Sequence, residues 1–343
     1  MRVVFGCLAR DEEANLEDLF SSLDLIPVEA FVLGDDGSKD KTVPLCQQYA
    51  EKRRIPFYKI DTELRDHGDF AKARNLVLHA ARQFIQILSG KDMNDWFLLS
   101  LDCDDRLLKC TLEWGSMNCS YEVLGSVTLR NGRIRYPSDR MVKLDSDVEW
   151  TSPVHETTIS SKRAMLSPER FLVQSNSKGY RNSIGIQVFL SDAEKLLRHF
   201  PESFDQARTL FLIASSFENY GDWRKALYYY RIRSVWKGGS LEEKYLSLLK
   251  IAELTRDTSS GYFESFEKFV SEQLLPIFEA INLFPDRIEG WTLLAYFAVA
   301  SGSPFLRSIC LGKKQFVLDF QAIENLESQK IWDLLLSKLR EYH

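Results

Sequence analysis

Trp96-Phe97-Leu98-Leu99-Ser100-Leu101-Asp102-Cys103-Asp104-Asp105 is a short apolar run that ends on three carboxylates. Trp96 to Leu101 has the length and near-continuous apolarity of a strand buried on both faces. Carboxylates at its end serve no packing purpose, because burying them unpaired is costly. They belong at a polar edge, where a cation or hydrogen-bond donors hold them. Hard oxygen ligands at the carboxyl end of a buried strand suit a divalent metal that carries a phosphorylated substrate.

The chain before this run repeats the same grammar. Val3 to Leu8 is a first apolar run, and Leu16, Leu19, Phe20 and Leu23 follow at helical spacing. Ala30 to Leu33 is a second run, followed by Val43, Cys46, Tyr49 and Ala50 on one helix face. Phe57 to Ile60 is a third, and the spacing from Phe70 to Leu88 predicts a third helix. Alternating strand and helix implies right-handed crossovers and a mostly parallel, doubly wound sheet. Such sheets bind ligands outside the carboxyl ends of their strands. Polar residues stand there: Arg10-Asp11-Glu12, Asp35-Asp36-Gly37-Ser38, Asp61, and Asp102 to Asp105. They predict one shared cleft.

Downstream the pattern changes. Val127-Thr128-Leu129 and Arg133-Ile134-Arg135, joined by Asn131-Gly132, read as a hairpin. Met141 to Leu144 reads as another strand, and Ser160 to Ser183 as loop and edge strand. A mixed sheet with an antiparallel extension is expected. From Leu190 onward the spacing turns helical: Leu190, Ala193, Leu197 and Phe200 share a face, as do Ala207, Leu210, Ala214 and Phe217. Gly221-Asp222-Trp223 punctuates, and Ala226, Leu227 and Tyr230 follow. The spacings resemble paired tetratricopeptide helices, although Arg233 stands where a small residue is usual and no strict period runs through. Trp223, Tyr228, Tyr229, Tyr230, Trp236 and Trp291 are candidates for the core of this region.

Composition narrows the function classes. The chain has 343 residues, room for two ordinary domains, and is 45% hydrophobic and 27% charged, as globular chains are. A net charge of −5 gives no electrostatic reason for a nucleic-acid partner. The first apolar run is too short for a signal peptide, and no stretch approaches a membrane span. Six cysteines with no Cys-x-x-Cys pair predict a reduced, cytoplasmic protein without disulfides or a zinc site.

Each polar motif has a plain structural reading. Asp102-Cys103-Asp104, a D-x-D element, occurs by chance at loops and helix caps. Asp35 to Thr42 is a strand-to-helix turn in which Gly37 permits the bend and Ser38 or Asp40 caps the helix. That does not explain why Asp35 and Asp36 are both acidic at the strand end, where a carboxylate can accept bonds from a nucleobase or from ribose hydroxyls. Asp69 is a helix cap, with Arg74 solvated on the outer face. Val154-His155-Glu156 is a strand end or a loop with a satisfied histidine. In combination the motifs say more. Ala9 to Glu13, Asp35 to Asp40, Asp69-Phe70 with Ala73-Arg74-Asn75, Trp96 to Asp105, and Val154 to Glu156 together resemble the family 2 glycosyltransferases of the GT-A fold. The subgroup with tetratricopeptide-like helices behind the catalytic domain is most similar. The family's usual Lys-Asn-Glu is Arg10-Asp11-Glu12 here, and Asp105 replaces a frequent Glu.

That resemblance implies an α/β GT-A domain with a mixed central sheet over residues 1–188 and an all-α tetratricopeptide-like domain over 189–343. It implies inverting transfer of a sugar from a nucleoside diphosphate sugar, of the uridine or guanosine type, to a hydroxyl of a glycan or similar acceptor. Asp104 is then the direct ligand of Mn²⁺ or Mg²⁺, Asp102 touches ribose or a metal-bound water, and His155 completes the metal shell. Glu156 is the expected base, with Asp105 as its rival; a carboxyl among other acids would have a raised pKa. Asp35 or Asp36 binds the nucleobase beside the Leu8 main chain and Arg10, while Arg74 reaches base or phosphates. The helical domain buttresses the catalytic one, lines an extended acceptor groove, holds a protein partner, or self-associates. Two other classes stand beside this one: a catalytically weak adaptor that binds through its helices, and a nucleotidyltransferase. The latter lacks its glycine-rich loop at Cys7 to Arg10.

Overall fold

The computed structural model describes residues 1–64, 68–90, 93–114, 120–130, 134–176, 185–258, 270–300 and 306. Two compact units divide it, Met1–Gly185 and Ile186–Tyr342.

The first unit alternates as the apolar runs predict: β1 (Arg2–Ala9), α1 (Glu13–Ser22), β2 (Val28–Asp35), α2 (Thr42–Arg53), β3 (Phe57–Asp61), α3 (Phe70–Ser89) and β4 (Trp96–Ser100). β5 (Asp105–Cys110), β6 (Val123–Arg130), β7 (Ile134–Lys143), β8 (Trp150–Thr151), β9 (Thr157–Thr158), β10 (Arg163–Met165) and β11 (Phe171–Ser175) follow. One mixed sheet has the order β3-β2-β1-β4-β7-β6-β11-β5, with β10 on β6, while β8 and β9 pair separately. The four strands from β3 to β4 are parallel. β7 is antiparallel to both β4 and β6.

Burial on both faces explains why these strands are so apolar. Phe5, Phe31 and Phe97 pack with Leu16 and Leu19 of α1. Their chain neighbours Val4, Val32 and Leu98 pack on the opposite face with Val77, Leu78 and Ala81 of α3. The close seating of α3 depends on a glycine. A Cβ on Gly34 would lie 2.6 Å from Val77 Cγ2 and 2.9 Å from Leu8 Cδ2.

Three local expectations change. Met141 to Lys143 is the end of β7 rather than a separate strand, because the ladder with β6 continues through Met141 and Val142. β11 lies inside the sheet, between β6 and β5, rather than at its edge. Asp105 opens a strand of its own, so Asp102 to Asp104 is the turn between β4 and β5. The Asn131-Gly132 turn lies outside the described residues.

The second unit is helical: α4 (Gln187–His199), α5 (Gln206–Tyr220), α6 (Trp223–Val235), α7 (Leu241–Thr258), α8 (Leu275–Leu283) and α9 (Ile288–Ala300). Each packs on the next in sequence. At the α5–α6 turn Gly221 takes left-handed backbone, and Asp222 caps α6 by accepting from Lys225 N. Tyr230 and Trp291 are core, but Trp223 is 47% and Tyr228 60% exposed. Tyr228 points away from the buried Ala226, Leu227 and Tyr230, whereas Trp223 shares their face but stands at the first residue of α6, where the helix end leaves it uncovered. Arg233 is wholly buried, donating to Ser240 O at 2.6 Å and facing Glu243 at 3.6 Å. Among the described residues no helix is long and apolar enough to cross a membrane.

Candidate active site

Parallel register brings the carboxyl ends of β1, β2 and β4 to one edge: Ala9 lies beside Asp35, and Gly6 beside Ser100. β2 and β3 lie on one side of β1 and β4 on the other, so the strand order reverses here. Open sheets take ligands at such a reversal.

The loops after β1 and β2 are laced together. Lys39 N donates to Asp11 Oδ1 at 2.7 Å and Asp11 N to Ser38 Oγ at 3.1 Å. Glu13 N and Thr42 N both donate to the Asp40 carboxylate. Burial raises the pKa of Asp40, but the bonds from Thr42 and Glu13 outweigh it and hold the carboxyl below its usual range. The turn reading of this segment therefore holds, and it leaves Asp35 and Asp36 at the strand end. Asp36 meets Arg10 Nη1 at 3.3 Å, and Asp35 accepts from Ser38 N at 3.1 Å and Lys59 Nζ at 3.4 Å.

Arg74 gathers the other half of the site. Asp69 caps α3 by accepting from Lys72 N at 2.9 Å, as expected. Arg74, one turn on, is only 12% exposed rather than solvated. Its Nη2 donates to Asp102 Oδ1 at 2.7 Å, its Nη1 to Ser100 Oγ at 3.0 Å, and its Nε to Glu156 Oε1 at 3.1 Å. Burial opposes its charge, yet Asp102 and Glu156 hold the guanidinium protonated more firmly than usual. The next residue positions Glu156: Asn75 Nδ2 donates to Trp150 O at 2.9 Å, and Trp150 N donates to Asn75 Oδ1 at 2.8 Å. Beyond Trp150 the chain turns sharply through left-handed Ser152 and His155. The turn buries Val154, exposes His155 and returns Glu156, whose side chain is 14% exposed, to Arg74.

Asp102, Arg74 and Glu156 thus meet directly, and Arg10 meets Asp36. Asp105, the expected rival base, is instead 1% exposed and bonded to Arg140 Nη1 at 2.8 Å. Its Oδ2 also accepts from Asp102 N at 3.0 Å. Burial pushes its pKa up to about 6 against the pull of Arg140. Cys103 also turns inward, donating to Leu8 O at 3.3 Å, and leaves its flanking aspartates half-buried at the rim. Among the described residues no group of three His, Cys, Asp or Glu side chains is gathered to hold a metal. Asp102 and Asp104 offer hard carboxylate oxygens, the donor set of a cation that takes its remaining ligands from phosphates and water.

Ser100, Asn75, Lys59 and Arg140 were not legible as site residues in the sequence. Each acts on a partner distant along the chain, and local spacing carries no signal for that.

No family model matches the chain, and no curated protein matches it. Among solved structures it is similar to S. aureus TarS, at 14% identity and a TM-score of 0.36, over 83% of this chain and 54% of that one, about half its length. S. aureus TarS 1-349 is similar at 12% identity and a TM-score of 0.36, over 94% of this chain and 90% of that one. The same fragment in complex with UDP gives 14% and 0.38, over 83% and 89%. At TM-scores this low the architecture rests on the strand order and register themselves.

Proposed function

We propose that the protein is an inverting glycosyltransferase of the family 2, GT-A type. It moves a sugar from a uridine or guanosine diphosphate sugar to a hydroxyl of a glycan or similar acceptor, and it works in the cytoplasm. The observation that carries this reading is Arg74, a buried guanidinium held between Asp102 and Glu156 at the reversal of a parallel sheet. Three of the five N–H donors of Arg74 go to Glu156, Ser100 and Asp102, and the two that remain, one on each Nη, suit the oxygens of a diphosphate. Asp35, Asp36 and Arg10 bind base and ribose beside the main chain of Leu8. Arg74 binds the diphosphate and neutralises charge as the leaving group departs.

Asp104, with Asp102, is the proposed ligand pair for Mn²⁺ or Mg²⁺. When bound, the cation supplies Lewis-acid stabilisation of the leaving diphosphate. Glu156 is the proposed base: both carboxylates are paired with an arginine, but Glu156 keeps 14% of its side chain exposed where Asp105 keeps 1%. The acceptor oxygen forms a bond to the anomeric carbon as the bond from that carbon to the diphosphate breaks. The diphosphate leaves with the electron pair, and Glu156 takes the hydroxyl proton.

Thermal shift with uridine, guanosine and thymidine diphosphates, with and without Mn²⁺, tests this reading. One nucleotide is expected to stabilise the protein in a metal-dependent way, by about 2.7 kcal/mol at a hundred times its dissociation constant. Asp104→Ala is expected to abolish the metal dependence. No stabilisation by any of the three would overturn the reading in favour of a helical adaptor.

A further inference from the structure

Beneath the Asp102–Asp104 turn lies a buried polar chain with no part in the proposed transfer chemistry. Across the β6–β7 ladder Leu124 pairs with Met141, but Gly125 pairs with Asp139. Arg140 is the extra residue, so β7 bulges there. Bulges re-aim a side chain, and they concentrate near active sites. This one sends the Arg140 guanidinium into the protein, where its side chain is 7% exposed. Nη2 donates to Thr128 Oγ1 at 2.9 Å, and Thr128 Oγ1 lies 2.7 Å from Ser138 Oγ. Nη1 donates to Asp105 Oδ2 at 2.8 Å, the same oxygen that receives Asp102 N at 3.0 Å. Arg140 is thus one carboxylate removed from the backbone of Asp102, whose side chain meets Arg74.

We infer that Arg140 is a positioning residue: it clamps Asp105 so that the turn presents Asp102 and Asp104 to a nucleoside diphosphate. The inference rests on the donor-binding role of that turn. A buried ion pair is a poor stabilising device, because apolar residues of similar size often serve the fold as well. Placement of the Asp102 amide is something an apolar pair cannot supply. At metal sites, removing a partner one step behind a ligand typically costs about 10–100-fold in affinity or activity, and a loss of that order is expected here.

The test uses the intact protein with Arg140→Lys, with the double replacement Arg140→Met and Asp105→Leu, and with Arg163→Lys as control. Arg163 is another arginine paired in this sheet, with Asp139. The readouts are melting temperature, the dissociation constant of the stabilising nucleoside diphosphate, and amide hydrogen exchange over Leu101 to Arg106. Arg140→Lys and the double variant are expected to keep a cooperative melt, to weaken nucleotide binding about 10–100-fold and to lose protection at the Asp102 amide. The control is expected to change melting alone. Wild-type affinity and protection in Arg140→Lys would overturn the inference, and that variant decides the matter if the double variant fails to fold. If the wild-type protein binds no nucleoside diphosphate, the donor reading falls, and exchange at Asp102 still decides whether Arg140 clamps the turn.

Discussion

Arg74 donates to three oxygens from two segments. Ser100 and Asp102 report the end of β4, while Glu156 reports the return of the turn after Trp150. Glu156→Gln keeps an oxygen that accepts from Arg74 Nε, so nucleotide binding is expected to survive. Transfer is expected to fall at least about a hundredfold, because the amide takes no proton. Paired nucleotide-binding and turnover assays check this, and unchanged transfer would place the base elsewhere. Asp40 makes a separate statement about pH. Its carboxyl is held below the ordinary range in the folded protein. The stability it contributes is therefore present above about pH 4 and is lost as pH falls through its folded value. Asp40→Asn is expected to weaken that acid limb in urea denaturation run at a series of pH values. An acid limb identical to wild type would remove Asp40 from the account.

At the scale of elements, α3 is the spine of the site. Its second turn carries Arg74, the next residue, Asn75, holds the Trp150 backbone, and Arg82 donates to the carbonyls of Leu144, Ser146 and Val148. The helix can do this only because it lies close on β1 and β2. Gly34→Ala would drive a methyl group against Val77, Thr62 and Leu8. Overpacking of this kind costs about 1–3 kcal/mol. A weakened response to nucleotide is expected with it, since Arg74 shifts with the helix. A Gly34→Ala protein as stable as wild type in urea would show that the helix has room to spare. The elements were largely legible in the sequence, because an apolar run or a helical period is a property of neighbouring residues. Bounds at Phe70 and Trp96 agree with the spacing. β5 was not legible: its first residue, Asp105, is acidic, and only its partners across the sheet make it a strand.

Each of the two units has a core of its own: the sheet with its flanking helices in one, and Tyr245, Leu249, Ile277 and Leu294 in the other. Calorimetry of the whole protein is expected to resolve two transitions. Tyr245→Ala, which removes a fully buried ring, should lower one of them by about 3–5 kcal/mol of stability and leave the other in place. Gly34→Ala should act on the other alone. Joint movement of both transitions in either variant would mean that the units unfold as one.

The amino-acid sequence carries the alternation of buried strands and helices and the polar residues at their ends. Both follow from how apolar side chains are spaced along a few turns of chain. It also placed Asp35, Asp36 and Asp102 at one edge, because parallel strands must end together. Which carboxylates face outward depends on contacts made in the folded chain. Arg74 meets Glu156 across 82 residues, and Arg140 meets Asp105 across 35. Pairings of that span depend on register, on the bulge at Arg140 and on the turn that exposes His155. Local sequence encodes none of these, because each is settled by which distant side chain arrives to satisfy a buried charge.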